Sequence, residues 1–130
     1  TAYAITLDTT NISNGVSISS SSRIVVANSG LYQLSAGYQL RSSSASQKDV
    51  WLWIRKNGVD VSQTGRIQTL ALTGGYSDVR IAEFISLAAN DYIELMWAAS
   101  STDVALKYAA ATAFAPSAPS FRVSLTQIQQ

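Results

Sequence analysis

Residues 32–40 read Tyr32-Gln33-Leu34-Ser35-Ala36-Gly37-Tyr38-Gln39-Leu40. Apolar and polar side chains alternate without interruption. A period of two is what a half-buried strand requires, because successive Cβ atoms point to opposite faces of a sheet. Tyr32, Leu34, Ala36, Tyr38 and Leu40 are therefore expected in a core, with Gln33, Ser35, Gly37 and Gln39 turned outward. The same period recurs on both sides, at Ile5 and Leu7, Val16 and Ile18, Ile24 and Val26, Ile93, Leu95 and Trp97, Val104, Leu106 and Tyr108, and Phe121, Val123 and Leu125. With Val50–Ile54 and Asp78–Leu87 these segments predict an all-β chain of roughly eight to ten antiparallel strands at sandwich-like spacing. Helical periodicity is nearly absent.

Turn signals separate the segments: Asn28-Ser29-Gly30, the serine-rich run Ser42–Ser46, Asn57-Gly58, Thr73-Gly74-Gly75, Asn90-Asp91, Ser100-Ser101 and Pro116-Ser117-Ala118-Pro119. Asn57-Gly58 favours the positive φ angles of a type I′ turn, so Val50–Val61 is expected to form a tight hairpin. In Asp78–Leu87, Glu83 shares the parity of Val79, Ile81 and Ile85, which points to a bulge or an edge strand. The alanine-rich stretch 108–120 resembles helix, but its two prolines favour an extended strand leading into a long loop. No repeat or linker divides the chain, and residues 1–130 are expected to form one domain.

Composition narrows the chemistry. The 130 residues contain no cysteine and no histidine, which removes disulfides, thiol nucleophiles, zinc clusters of the usual ligands and imidazole catalysis. Nine basic and eight acidic residues leave a net charge of +1, too small and too scattered along the chain to predict nucleic-acid or anionic-membrane binding. No apolar run approaches the roughly 20 residues that span a bilayer. The first residues lack the pattern of a signal peptide, and membrane insertion is not expected. Charged residues are 13% of the chain, about half the usual share, so little repulsion keeps copies apart.

The stretch Val50-Trp51-Leu52-Trp53-Ile54-Arg55 is apolar on both faces. Val50, Leu52 and Ile54 belong with the core by parity, which turns Trp51 and Trp53 the other way until Arg55 ends the second apolar face. Two placements fit: against another subunit or partner, or beneath a loop of the same chain. Tyr92 and Met96 alternate in the same sense against Ile93, Leu95 and Trp97, and Tyr92 is expected to be partly exposed.

Taken in order, Gly30-Leu31-Tyr32, Lys56-Asn57-Gly58, Asn90-Asp91-Tyr92-Ile93 and the ending from Pro116 to Ile128 resemble the jelly-roll domains of the C1q and tumour necrosis factor superfamily. The likeness is nearer still to the stand-alone versions in bacteriophage virion proteins of the cyanophage type. It spans nearly the whole chain. Asn90 stands where the family has glycine, and the Phe-Gly ending of the animal C1q domains is absent. The resemblance implies a jelly-roll β-sandwich, C1q/TNF-like, that forms a homotrimer, with Trp51, Trp53 and Tyr92 at the subunit interface.

Catalysis is not expected. Asp8, Asp49, Asp60, Asp78, Glu83, Asp91, Glu94 and Asp103 are the acid or base candidates, and most adjoin turn signals, where aspartates usually bond backbone groups. No phosphate cradle or nucleophile elbow is present, and no cofactor or metal is implied. Two functions remain. One is a trimeric structural protein at the surface of a virion, a capsid decoration or fibre knob docking on a capsid or fibre protein. The other is a lectin-like domain that recognises a host-surface glycan or receptor. Tyr76 and Phe114 are the aromatics expected at loop tips. Tyr76, among Gly, Ser and Thr, is the best contact candidate, with packing over the sandwich end as its alternative role. The polar loops Ser42–Lys48, Thr73–Asp78 and Ser100–Asp103 are expected to cluster at one end and carry recognition.

Overall fold

A computed structural model describes residues 2–7, 10, 13–70 and 75–129. Two antiparallel sheets pack face to face as a β-sandwich, with no helix among the described residues. Eleven strands follow one another: β1 (Ala2–Ala4), β2 (Val16–Ser19), β3 (Arg23–Val26), β4 (Gly30–Ser42), β5 (Lys48–Lys56), β6 (Val59–Asp60), β7 (Arg66–Leu70), β8 (Tyr76–Leu87), β9 (Tyr92–Ala99), β10 (Val104–Leu106) and β11 (Phe121–Gln129). The seven-stranded sheet runs β2-β3-β9-β5-β6, with β1 also beside β9 and β7 also beside β5. The four-stranded sheet is built on β4, which pairs with β8 along one edge and with β10 and β11 along the other.

The alternation of residues 32–40 is realised in full. Tyr32, Leu34, Ala36, Tyr38 and Leu40 are all buried, facing Leu52, Ile54, Ile93 and Leu95 of the other sheet in one core. The leucines and isoleucines among them contribute roughly 1.5–3 kcal/mol each when fully buried. The Tyr38 hydroxyl crosses the core to donate to the Met96 carbonyl at 3.3 Å, and its ring meets Phe121 edge-on at 4.9 Å. Burial raises the Tyr38 pKa.

The turn-signal residues have physical reasons. Asn57 and Gly58 both take positive φ, 49° and 84°, closing the β5–β6 hairpin. Asn90 sits at φ 70°, a conformation that glycine adopts freely and asparagine tolerates. Gly30 lies where the end of β11 crosses β4, and a Cβ there would collide with the Gln129 carbonyl and the Gln127 amide.

Some expectations are narrowed and others corrected. Of the two readings of Asp78–Leu87, a bulge or an edge strand, the second holds: β8 pairs with β4 in unbroken register from Tyr76 to Leu87. It is an edge strand, with no partner on its far side among the described residues. Glu83 points inward at this edge and bonds Arg66 of β7 at 2.7 Å. An inward charge is one way in which a free edge is kept from pairing with other chains. At the start of the chain, β1 stops at Ala4. Ile5 follows it in irregular backbone, buried all the same, its amide donating to the Leu95 carbonyl at 2.8 Å. Tyr108 lies beyond β10 and is exposed. Residues 108–120 are extended and looped, closed by a bridge between Ala109 and Ala118. The turn signal at Thr73 and Gly74 and the carboxylate of Asp8 fall outside the described residues.

Candidate binding surfaces

The outer face of the seven-stranded sheet carries the residues expected at an interface. Cross-strand register lines up Ile67, Trp51, Ala98 and Ala2 in one row over β7, β5, β9 and β1. The next row is Trp53, Met96 and Ala4. Both rows are apolar because β5 and β9 are apolar on both faces. Ile67 is 68% exposed and Trp51 39%. Trp53 is half-buried, and Met96, although it points outward between Trp53 and Ala4, is only 2% exposed. Asp60 accepts the indole N–H of Trp53 at 2.8 Å and the Nε of Arg55 at 2.9 Å. These two bonds, that from Trp53 first, hold the Asp60 carboxyl below its ordinary pKa. Trp97 faces the other way, half-buried against the core and 5.4 Å from the Tyr3 ring.

Tyr92 stands at one end of this face, half-buried, with the Arg23 guanidinium 4.3 Å above its ring. Next to it two sequence landmarks meet. The Asn57 amide donates to Asp91 Oδ1 at 2.9 Å, while Asn57 Oδ1 accepts the Tyr92 amide at 3.0 Å. Asp91 Oδ2 accepts the Ala88 amide at 2.8 Å and lies 3.6 Å from Lys56 Nζ. Led by the Asn57 bond, these contacts lower the Asp91 pKa. Asn57 is thus a clamp between the β5–β6 hairpin and the β8–β9 turn.

Tyr76 is placed differently from the expectation. It is not at a loop tip, nor does it lid the sandwich end: it opens β8 on the outer face of the four-stranded sheet, directly opposite Arg41 and 50% exposed. The Arg41 guanidinium lies 5.2 Å from its ring centre. Phe114 is exposed, in the loop before β11. Two of the three polar loops do meet at one end. Ser43 donates its amide to the Asp103 carbonyl at 3.0 Å, and the Ser100 hydroxyl accepts the Asp49 amide at 3.0 Å. The end of β7 at Leu70, opposite Lys48, and the start of β8 bring the chain flanking the third loop to the same end.

The carboxylates are spread over the molecule as structural acceptors. Asp49 accepts from Thr69, Glu94 from Ser22, Glu83 from Arg66 and Asp78 from Arg80. Among the described residues no group of three acidic side chains could hold a metal ion, and no helix is long and apolar enough to cross a membrane. The two best-formed depressions, of about 270 and 360 Å³, are lined by Gly15, Val16, Ser17, Val25, Val26, Ala27 and Asn90, and by Ala27, Asn28, Ser29 and Ala89. Neither contains a carboxylate, a lysine or an arginine. No protein-family model matches the chain, and no curated protein does so either.

Proposed function

We propose that this chain is a non-catalytic structural protein of a virion surface, a jelly roll of the C1q/TNF type that assembles as a homotrimer and docks on a capsid or fibre protein. The observation that carries the reading is the pair of apolar rows on the outer face of the seven-stranded sheet. Exposed apolar rows in cross-strand register form a flat surface that a second protein can cover without leaving backbone groups unpaired. Aromatic anchors of this kind are enriched where subunits meet. Trp53 suits such a face because Asp60 already satisfies its indole N–H, so covering the ring strands no donor. Tyr92, beside the clamp, marks the rim. A sandwich that uses its carboxylates to hold turns and sheet edges has the rigidity that a decoration or knob needs.

The test is oligomeric state. Light scattering at micromolar concentration is expected to give three times the 13.9 kDa chain mass, and Trp51→Glu is expected to lower it. A wild-type monomer overturns the trimer. Cryo-electron microscopy of the purified particle, with the chain located at the capsid or fibre surface, tests the virion assignment separately.

A further inference from the structure

The chain's few charges are scattered in sequence, yet the fold gathers the basic ones. Register puts Arg41, Arg80 and Arg122 on the outer face of the four-stranded sheet, with Lys107 just beyond β10 on the same side. Against these four cations stands Asp78 on β8, with Asp103 at the rim. A molecule of net charge +1 therefore has one distinctly positive face. Arg80 and Arg122 both pair with Gly37, from opposite sides. Because Gly37 has no side chain, the Arg80 guanidinium folds over β4, about 3.7 Å from where a Cβ would stand. An Asp78 carboxylate oxygen lies nearer still, 3.5 Å from that point, so an ion pair from β8 covers the glycine while Arg122 stands opposite it on β11. Asp78 neutralises Arg80 at 3.2 Å, whereas Arg122 and Lys107 have no side-chain partner among the described residues. Around them stand the hydrogen-bonding side chains Gln33, Ser35 and Gln39 on β4 and Ser124 and Thr126 on β11, with Phe84 exposed toward the end away from Tyr76. Tyr76 supplies a half-exposed ring beside Arg41.

We infer that this face binds an acidic glycan, one bearing carboxylate or sulfate groups. Guanidinium forks pair with such planar or tripodal anions through two parallel N–H bonds. The Tyr76 ring offers an apolar surface on which the face of a sugar ring can stack, and the glutamines, serines and threonine can bond its hydroxyls. Strand spacing places Arg80 and Arg122 roughly 10 Å apart, and Tyr76 about 13 Å along β8 from Arg80, the footprint of a short oligosaccharide. The inference does not rest on trimer formation, but a trimer built through the opposite face would present three such surfaces and sum weak contacts.

The experiment is surface-plasmon resonance of the full chain over immobilised polygalacturonate, heparin and neutral dextran, with single-stranded DNA as a polyanion control. Binding to polygalacturonate or heparin and not to dextran is expected, and which of the two binds separates a carboxylate from a sulfate preference. Arg80→Gln/Arg122→Gln is expected to weaken it at least about tenfold, and Tyr76→Ala about threefold to tenfold, both with unchanged thermal unfolding and unchanged mass by light scattering. Failure to bind either acidic glycan overturns the inference. So does equal binding to DNA that is indifferent to Tyr76→Ala, which would reveal a generic polyanion surface. A change of oligomeric state in the arginine variant also overturns it, by making this face a subunit contact.

Discussion

The two sheets share one core and differ in what they show to solvent. The outer face of the seven-stranded sheet is apolar at its centre, with Trp51, Trp53, Ile67 and Ala98 in adjoining rows, and its charges stand at the margins, Arg55 with Asp60 and Glu94 with Ser22. The outer face of the four-stranded sheet is reversed: its centre is Gly37 between two arginines, and exposed rings stand toward its ends, Tyr76 opposite Arg41 and Phe84 opposite Gln33. The difference follows from one property of sequence. Strands β5 and β9 are apolar at both parities, whereas β4, β8 and β11 alternate. Where both parities are apolar, a sheet has more greasy surface than one core can cover, and the remainder is available to another protein.

Breaking the shared core should destroy both faces together, and this is the largest effect expected. Tyr38→Ala removes a fully buried ring and the bond to Met96, and should cost about 3–5 kcal/mol in urea unfolding; Tyr38→Phe should cost only about 1 kcal/mol. Next comes an effect confined to one face. Trp51→Ala should weaken self-association by about 2 kcal/mol, or roughly thirtyfold, measured by sedimentation equilibrium, while glycan binding per chain is unchanged. A smaller loss touches neither face: Asn57→Ala cuts the clamp and should lower the unfolding free energy by about 1–2 kcal/mol.

The smallest effect is in pH. Because Asp91 has a lowered pKa, chiefly through Asn57, its contribution is fully present above the ordinary aspartate value of about 3.9 and is lost as pH falls through the lower folded value. The difference in stability between wild type and Asn57→Ala should therefore be constant near neutrality and shrink below about pH 4, as followed by thermal melts across that range. A difference that does not depend on pH would detach Asp91 from the clamp.

What could be read from sequence was what lies within one strand. Parity along β4 and β5 assigned the core positions and turned Trp51 and Trp53 outward, and Asn57-Gly58 announced its hairpin, because these signals depend on neighbours two residues apart. What could not be read depends on register between distant strands. Glu83 left a bulge and an edge strand both open, because its partner Arg66 lies on β7, a different strand that no periodicity brings beside it. Tyr76 read as a loop residue from its Gly and Ser neighbours, although β4 supplies it with a full-length partner strand. The basic face was invisible for the same reason: Arg41, Arg80 and Arg122 are about 40 residues apart in the chain and meet only through β4.

The central position of β4 also has a kinetic consequence. Its partner β11 aligns Phe121 with Tyr38, so the four-stranded sheet closes only when segments more than eighty residues apart in the chain find each other. Loop-closure entropy of that kind slows folding, and β-sandwiches with such contacts typically take milliseconds to seconds. During synthesis, β4 and β8 are made first and must wait with the second edge of β4 largely bare until residues 121–129 emerge. The interval in which that edge is open is when two nascent copies on neighbouring ribosomes are prone to pair wrongly.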